Sequence, residues 1–420
     1  MKKIKRFISC ILAAAIMTAV TGCGNKIILK SDNSSSVVSG TQTAINYSYD
    51  KKSSHGSSGK AAKPDVELTP AAEYYLKSFD DKVVSVYKQL YNGMLNFVRT
   101  IDVTDGVISK EDIGGLLELC LSSSPELNYI GQEYTVSIDS ENYVTAVTVT
   151  YKKSKEEASA ENKALIGRVK AILSGVSEKW DDYKKVKYFH DAIIQNCEYS
   201  EDGRDPYSAY GCLYDGKAVC EGYTKAMQLL CDNENILCVP VAGKGKTNDQ
   251  LQPHIWNKIK IDGKWYAFDL TWDDPVSDFE TSYVRYDYFG LNDEQMERDH
   301  IAQETKFMSY PKASDTYADY FRHSNLFCDD ASKAQQLLKK TVENVMINNG
   351  TYVRIKCSDK NVYDNVLDEI FNSENNSNAK IFSILSECVE NGNDNYSKYG
   401  YSLIKNDVMY TITIKLSMSD

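Results

Sequence analysis

The sequence lacks the short motifs by which many metal and nucleotide sites are recognised. Its 11 cysteines include no C-x-x-C pair, and its five histidines include no two that are three to five residues apart. A structural zinc site is therefore not indicated. It also lacks a glycine-rich phosphate loop of the Walker or dinucleotide type, and the GKGK pattern at 243–246 is interpreted as a flexible basic loop. No metal and no other cofactor is predicted.

Basic side chains are outnumbered, with 48 lysines and arginines against 59 aspartates and glutamates and a formal net charge of −11. The charge becomes about −15 once the four basic residues at positions 2, 3, 5 and 6 are removed. Nucleic acids and anionic lipid headgroups repel a surface of this sign. The composition argues against a nucleic-acid partner and against binding to a membrane through a basic face.

No transmembrane helix is predicted, because the apolar run at 7–20 is too short and follows basic residues. The sequence VTGC at 20–23 closes this run in the manner of a bacterial lipoprotein export signal, with Cys23 as the lipidated first residue of the mature protein. An ordinary secretory peptide with a chance cysteine is the alternative, and the small residues before Cys23 argue against it. Residues 1–22 are predicted to be a signal peptide, and the mature protein to be exported and lipid-anchored to the outer face of a bacterial cell membrane.

A polar, serine-rich stretch follows the signal. Residues 23–65 contain several serine clusters and too few apolar side chains to bury a core. This stretch is predicted to be a disordered tether that lets the folded part stand off the membrane.

The remaining chain is long enough for two or three domains. A predicted helix at 69–99 and a predicted hairpin at 134–151 indicate a small N-terminal α+β module over 66–153. Residues 154–325 are assigned to a catalytic domain, and 326–420 to a C-terminal small α+β domain. Nothing in the two flanking modules indicates their roles or an oligomeric state.

The stretch GKAVCEGYTKA at 216–226 places a cysteine at the first turn of a predicted helix. Gly216 supplies a turn ahead of Cys220, and an apolar face follows at helical spacing. Unpaired N–H groups and the positive dipole end of a helix favour an anion, and the thiolate is the nucleophilic form of cysteine. Lys217 and Lys225 could add to this field. Cys220 is the candidate nucleophile.

A histidine and an aspartate follow on two predicted strands. His254 begins an alternating strand, and the Asp-Gly pair at 262–263 predicts a tight hairpin turn. Asp269 interrupts an apolar stretch on the returning strand, where burial without a partner would be costly. His254 and Asp269 are expected near the same end of this pair. Cys220, His254 and Asp269 then have the residue types of nucleophile, general base and orienting carboxylate.

Each of these residues also has a plainer interpretation. Cys220 alone could be a buried packing residue, and Asp269 a strand-end carboxylate. The sequence offers four other histidines without a matching motif: His55, His190, His300 and His323. The tryptophans are interpreted as core and cleft walls rather than substrate contacts: Trp256, Trp265 and Trp272. A zinc site would draw on the following residues, whose spacing argues against it: Cys212, Cys220, Cys231, Cys238 and His254.

The three motifs together resemble the transglutaminase-like superfamily of papain-related cysteine enzymes. The resembling motifs are AVCEGY at 218–223, HIWN at 254–257 and DLTWDDP at 269–275, and the resemblance covers roughly 155–310. It implies an α+β fold in which a helix that carries the cysteine packs on an antiparallel sheet that carries the histidine and aspartate. The superfamily includes amide cross-linking enzymes, peptidases, deglycosylating amidases and inactive scaffolds.

The resemblance also implies an oxyanion hole. The backbone N–H of Cys220 is one expected donor, since the nucleophile opens a helix. The second donor in this superfamily is an upstream side chain whose identity varies. Tyr207 and Tyr210 are the candidates here.

The predicted function is that of a membrane-tethered thiol enzyme that acts on amide bonds of protein or cell-wall peptide through an acyl-enzyme. Hydrolysis and transfer to an amine both stay open, and the exported setting favours hydrolysis. An inactive surface scaffold that binds protein or cell-wall glycan is the alternative. A solute-binding lipoprotein would share the signal and tether but would not explain the three motifs.

Overall fold

The computed structural model describes residues 66–247, 249–274, 283–371, 380–390 and 400–417, and the main chain of two strands before them. It contains helices and mainly antiparallel sheets, so the predicted α+β class is confirmed. The helices in chain order are α1 (Pro70–Leu76), α2 (Asp81–Leu95), α3 (Ile113–Ser122), α4 (Lys155–Leu173), α5 (Asp182–Ile194), α6 (Cys220–Asn233), α7 (Leu270–Asp273), α8 (Asp293–Met296), α9 (Tyr320–His323), α10 (Ala334–Ile347), α11 (Lys360–Val366) and α12 (Lys380–Glu390).

The strands lie before and between these helices, singly or in consecutive groups. They are β1 (Asn25–Ser31), β2 (Ser34–Gly40), β3 (Thr100–Asp102), β4 (Ile130–Ile138), β5 (Val144–Tyr151), β6 (Glu198–Tyr199), β7 (Lys217–Ala218), β8 (Cys238–Thr247), β9 (Gln250–Ile261), β10 (Lys264–Phe268), β11 (Phe289–Leu291), β12 (His300–Ala302), β13 (Phe327–Cys328), β14 (Tyr352–Cys357), β15 (Gly400–Asn406) and β16 (Thr411–Ser417). Short π-helical turns lie at Gly211–Asp215 and Leu367–Phe371, and a 3₁₀ turn lies at Ala331–Lys333.

The chain folds into two compact units, each made of several segments. The first unit comprises Met1–Glu178, Asn196–Val241 and Gln303–Tyr310. The second comprises Lys179–Gln195, Ala242–Ala302 and Pro311–Asp420. The domain boundaries proposed from the sequence stay predictions.

The first unit contains a five-stranded sheet in the order β2-β1-β4-β5-β3. Strands β4 and β5 form the predicted antiparallel hairpin, and β1 lies parallel to β4. Strands β1 and β2 fall within residues 23–65, the segment predicted to be a tether.

The single helix predicted at 69–99 is wrong, because the structure divides it into α1 and α2. Asp80 starts the second helix: its Oδ1 accepts hydrogen bonds from the backbone N–H groups of Lys82 and Val83, at 2.9 and 3.1 Å. An aspartate that satisfies these donors favours an extended cap over a continued helix. The sequence therefore begins a new helix at Asp81, within the range predicted as one continuous helix.

Helix α6 is the central helix of the first unit. Its residues 222–231 are all buried, so packing surrounds this helix on every side rather than along one stripe. Gln228 anchors it, since its Nε2 donates to the backbone carbonyl of Ser123 at 2.8 Å. The helix begins at Cys220.

The second unit contains a five-stranded sheet in the order β11-β10-β9-β8-β12. The predicted hairpin joins β9 to β10, with Asp262 and Gly263 at φ 48° and 80°. Two consecutive residues with positive φ are the backbone of a tight turn that suits the twist of paired strands.

The interpretation of 243–246 as a flexible loop is wrong, because these residues lie in β8. A Cβ added at Gly243 would lie 2.2 Å from the carbonyl oxygen of Ile301 on β12, whereas a real Cβ almost never comes within 3.0 Å of another heavy atom. The glycines therefore let neighbouring groups approach the strand closely, and they do not indicate a flexible segment.

The C-terminal part of the second unit is a four-stranded sheet in the order β13-β14-β16-β15. Helices α10 to α12 contribute to one apolar core with this sheet. A buried ion pair of 2.8 Å joins Lys356 on β14 to Asp319, the N-cap of α9. Among the helices that the structure describes, none has both the length and the apolar character needed to cross a bilayer.

Candidate active site

Cys220 is the first residue of α6 and is partly exposed. The N-cap residue, Val219, is extended and provides no side-chain hydrogen bond to the helix. The first N–H groups of a helix and its dipole favour a negative charge at this end. The local structure therefore places the Cys220 thiol at the positive end of the helix dipole.

The segment that precedes the π-helical turn lies directly against the start of α6. The backbone N–H of Val219 donates to the carbonyl of Pro206 at 2.9 Å. A Cβ at Gly222 would lie 2.6 Å from the same carbonyl oxygen and 3.0 Å from that of Ser208. Gly222 is therefore required for close approach, and the segment that carries Tyr207 lies beside the first turn of α6.

Buried polar contacts hold this segment in place. Asp205 Oδ2 accepts hydrogen bonds from Lys153 Nζ at 2.7 Å and from Asn128 Nδ2 at 3.2 Å. Ser208 Oγ donates to the carbonyl of Asp205 at 2.8 Å. Since Asp205 and Ser208 are both buried, these bonds fix the main chain on either side of Tyr207.

The two candidate oxyanion donors have different surroundings. The hydroxyl of Tyr210 accepts a hydrogen bond from Arg204 Nη2, and its ring stacks on Tyr214 with ring centroids 4.8 Å apart. Tyr207 is half-buried on the segment that packs against Gly222.

The predicted contribution of Lys225 to the field at Cys220 is wrong. Lys225 is buried on α6 and forms an ion pair with Glu221 one turn earlier. Burial lowers the pKa of Lys225 even though Glu221 acts in the opposite direction. The neighbouring carboxylate offsets any positive charge on Lys225, so Lys225 does not strengthen the field of the helix terminus.

In the second unit, His254 and Asp269 lie in direct contact, with 2.6 Å between His254 Nε2 and Asp269 Oδ2. Asp269 follows β10 and is the N-cap of α7: its Oδ1 accepts from the backbone N–H groups of Thr271 and Trp272, at 2.9 and 3.3 Å. One carboxylate oxygen is thus fixed by the helix start, and the other faces the imidazole. This arrangement sets the orientation of His254.

The Asp269 carboxyl is kept ionised although its side chain is only 1% exposed. Burial raises its pKa, but the charges and hydrogen bonds of His254 and His300 outweigh burial and hold the pKa well below the ordinary aspartate value. A buried carboxylate with this many donors is a stable acceptor for an imidazole.

His300 belongs to this cluster and was not singled out from the sequence. Its Nε2 lies 3.0 Å from Asp269 Oδ2, and its Nδ1 lies 2.7 Å from Asp299 Oδ1. The sequence signal was weak, since β12 is short and the residues around His300 are polar. Only the pairing of β12 with β8 brings this histidine to the site.

The other rival histidines lie elsewhere. His190 contacts Asp273 at 3.1 Å, and His323 stacks on Tyr183 with ring centroids 3.6 Å apart. His55 lies outside the described residues.

The donor atoms of His254, Asp269 and His300 all lie within 4.8 Å of one another, which is close enough for one metal ion to bridge them. The separations of 2.6 and 3.0 Å are also ordinary hydrogen-bond lengths for a proton shared between nitrogen and oxygen. The cluster therefore has a complete account in hydrogen bonds among its own residues.

Tryptophans form the wall behind these imidazoles. The ring of Trp272 lies 4.3 Å from that of His300 and 5.4 Å from that of His254, centroid to centroid. A Cβ at Gly245 on β8 would lie 2.8 Å from Trp272 Cζ2 and 3.4 Å from His254 Cδ2. Gly245 thus lets the indole and the imidazole lie against the strand.

The predicted site residues are distributed over both units. The second unit brings His254 and Asp269 together and adds His300. Cys220 and the two candidate oxyanion tyrosines belong to the first unit. Cys23 and the predicted signal peptide lie outside the described residues.

Comparison with known proteins supports the resemblance seen in the motifs. Residues 170–270 match the family model of the transglutaminase-like superfamily, so the predicted recognition is confirmed for the segment that contains all three motif residues. The chain is similar to the kyphoscoliosis peptidase of Mus musculus, at 25% identity over 148 residues, which are 32% of this chain and 22% of that protein. It is also similar to the kyphoscoliosis peptidase of Homo sapiens, at 25% identity over 126 residues, which are 27% of this chain and 19% of that protein.

The matched region therefore spans about a fifth of the length of these curated relatives. Among solved structures, the chain is similar to a TGase at 14% identity, with a TM-score of 0.25 and coverage of 35% of this chain and 53% of that one.

Proposed function

We propose that this chain is an exported thiol enzyme that cleaves or transfers amide bonds of protein or cell-wall peptide, and that a lipid on Cys23 anchors it to the outer face of a bacterial membrane. The contact of 2.6 Å between His254 on β9 and Asp269 at the start of α7 is the observation that supports the chemistry most strongly. The transglutaminase-like match over 170–270 supports the same assignment.

In this proposal Cys220 Sγ attacks the carbonyl carbon of the substrate amide. Because Asp269 contacts Nε2 of His254, the thiol proton passes to Nδ1. The tetrahedral oxyanion accepts hydrogen bonds from the backbone N–H of Cys220 and from an upstream tyrosine. The C–N bond then breaks, the imidazolium returns its proton to the leaving amine, and a thioester remains on Cys220.

Of the two tyrosines, Tyr207 suits the oxyanion role better. Its segment is fixed against Gly222 in the first turn of α6. Tyr207→Phe should therefore lower the rate of acylation by about 100-fold, the usual cost of one lost oxyanion donor, and Tyr210→Phe should have a much smaller effect.

The thioester divides hydrolysis from transfer. Attack by water gives a carboxylic acid and regenerates the thiol, whereas attack by an amine gives a new amide. We assign hydrolysis as the main reaction, since the exported setting leaves the thioester in contact with water.

The test incubates mature protein with envelope extract and a biotinylated primary amine, and measures amine incorporation and new amino termini together. Cys220→Ala is the inactive variant. Cys197→Ala, which removes a buried thiol of the same unit, is the matched control. New termini that depend on Cys220 without biotin incorporation would support hydrolysis, and biotin incorporation that depends on Cys220 would establish transfer. Neither product from a folded protein would favour a scaffold that binds protein or cell-wall glycan.

A further inference from the structure

His300 lies between two carboxylates in the interior of the second unit. Its side chain is 0% exposed, and those of Asp269 and Asp299 are 1% and 5% exposed. The two ring nitrogens each face a carboxylate oxygen, at 3.0 Å to Asp269 and 2.7 Å to Asp299. A neutral imidazole has one N–H donor and one lone pair, so it can satisfy only one of these acceptors.

Both neighbouring carboxylates accept hydrogen bonds from other groups as well. The pKa of Asp269 is held well below its ordinary value, and two backbone N–H groups donate to its other oxygen. The second oxygen of Asp299 accepts a hydrogen bond from the hydroxyl of Tyr288 at 2.6 Å. Two buried negative charges so close together would be costly without a cation between them.

We propose that His300 is a positioning residue of the proposed thiol enzyme: as an imidazolium it donates to both Asp269 and Asp299, and so fixes the carboxylate that orients His254. This inference rests on the proposed function, because the orientation of His254 matters only if His254 serves Cys220. The ionisable groups that are hydrogen-bonded to His300 or to one of its two carboxylates come from four parts of the second unit. They are His254 on β9, Asp269 before α7, Tyr288 before β11 and Asp299 before β12.

The positive charge has a second consequence. A cation beside Asp269 reduces the net negative potential that His254 experiences, and so limits how strongly the protonated form of His254 is favoured. Removal of the charge should therefore raise the pH at which the catalytic groups lose their protons. Removal of the hydrogen bond should instead loosen the orientation of His254.

Two substitutions separate these effects. In His300→Gln the amide can still donate to Asp269 but carries no charge, whereas His300→Ala loses the donor and the charge together. His190→Gln is the matched control, because His190 is also fully buried in the same unit and also lies between two carboxylates, those of Asp191 and Asp273.

The readout is the rate of Cys220 alkylation by iodoacetamide as a function of pH, assigned by peptide mapping. We expect His300→Gln to move the rising part of the profile to higher pH by about one unit, which is about a tenfold loss of rate below the midpoint. We expect His300→Ala also to lower the plateau, and His190→Gln to leave the profile of the parent unchanged. Circular dichroism verifies that each variant is folded.

A measurement on the unaltered protein removes dependence on the variants. In a spectrum of protein labelled with ¹⁵N-histidine at pH 7, both ring nitrogens of His300 should be protonated. One unprotonated nitrogen would overturn the proposal, as would a His300→Gln profile that superimposes on the parent's. Loss of the fast alkylation on treatment with EDTA, with recovery on addition of zinc, would also overturn it and assign the cluster to a metal.

The two proposals fail separately. If His254→Ala slows alkylation of Cys220 but His300→Gln leaves the profile unchanged, only the role of His300 is wrong. If His254→Ala itself has no effect, the proposed thiol chemistry fails.

Discussion

Glycine at position 245 lets two rings of the candidate site lie directly against strand β8. The ring of Trp272 would lie 2.8 Å from a Cβ at this position, well inside ordinary van der Waals distance, and an indole has no flexible end that could move aside. From the sequence alone, the glycines at 243 and 245 indicated a loop. The reason for them is a tertiary contact, which local patterns do not contain.

Gly245→Ala should therefore reduce both stability and function. We expect the free energy of unfolding to fall by about 1–3 kcal/mol, the usual cost of overpacking, and the alkylation of Cys220 to slow because His254 is displaced with Trp272. Urea denaturation and iodoacetamide labelling measure the two effects.

Gly167→Ala is the control, since Gly167 is exposed in α4 and a Cβ there would meet nothing within 4 Å. This change should raise stability by about 0.5–1 kcal/mol, because alanine favours a helix interior. If Gly245→Ala were as harmless, the steric account of β8 would be wrong.

Single residues also show how far the site could be predicted. Cys220, His254 and Asp269 stand in motifs with helix and strand signals around them, so their candidacy follows from the sequence. His300 could not be found in this way, because it joins Asp269 only through the pairing of β12 with β8. Lys225 was misjudged for a related reason: its position on the helix was readable, but its burial and its pairing with Glu221 were not.

At the scale of elements, helices α5 and α7 are joined by a buried histidine. His190 Nε2 lies 3.1 Å from Asp273 Oδ2, and His190 Nδ1 lies 3.2 Å from Asp191 Oδ1. Burial acts to lower the pKa of His190, but the two carboxylates outweigh it and raise the pKa above 6.5. Burial also raises the pKa of the Asp273 carboxyl to about 6.

This contact predicts a pH dependence of stability. A histidine whose pKa is raised on folding stabilises the fold fully below its unfolded value of about 6.5, and loses that contribution as the pH rises through the folded value. The raised pKa of Asp273 acts with the same sign at lower pH. The stability advantage of the parent over His190→Gln should therefore shrink as the pH rises above 6.5.

Urea denaturation of both proteins between pH 5.5 and 9 checks this expectation. An advantage that grew with pH would show that His190 is neutral in the folded state.

Elements differed in how well they could be predicted. The hairpin of β9 and β10 was predicted because Asp262 and Gly263 give a local turn signal between alternating strands. The break between α1 and α2 was not predicted, since only the cap at Asp80 marks it. Local chemistry at a cap outweighs periodicity at such a boundary.

For the whole molecule, the two compact units are assembled from segments that are far apart in the chain. Periodicity and turn signals report on neighbours in sequence, so they cannot show that α5 belongs to the same unit as the C-terminal sheet. The α+β class itself could be predicted, because it depends only on the kinds of elements present.

The anchor proposed for the whole protein has its own test. Cys23→Ser should move the protein from the membrane fraction to the medium, or leave it as an uncleaved precursor, because the thioether to lipid requires the thiol. Cell fractionation with mass analysis of the amino terminus measures the outcome. Membrane association of the parent through an intact segment 1–22 would overturn the lipoprotein assignment.

The proposed activation of Cys220 by His254 is tested by the rate at which iodoacetamide alkylates each of the nine cysteines in the described residues. Cys220 is partly exposed while the other eight are buried, so exposure alone would give Cys220 the fastest alkylation. The decisive comparison is therefore with folded His254→Ala protein at neutral pH. We expect alkylation of Cys220 to slow by about tenfold or more in this variant, because the thiolate loses its imidazolium partner. Equally fast alkylation of Cys220 in both proteins would contradict it.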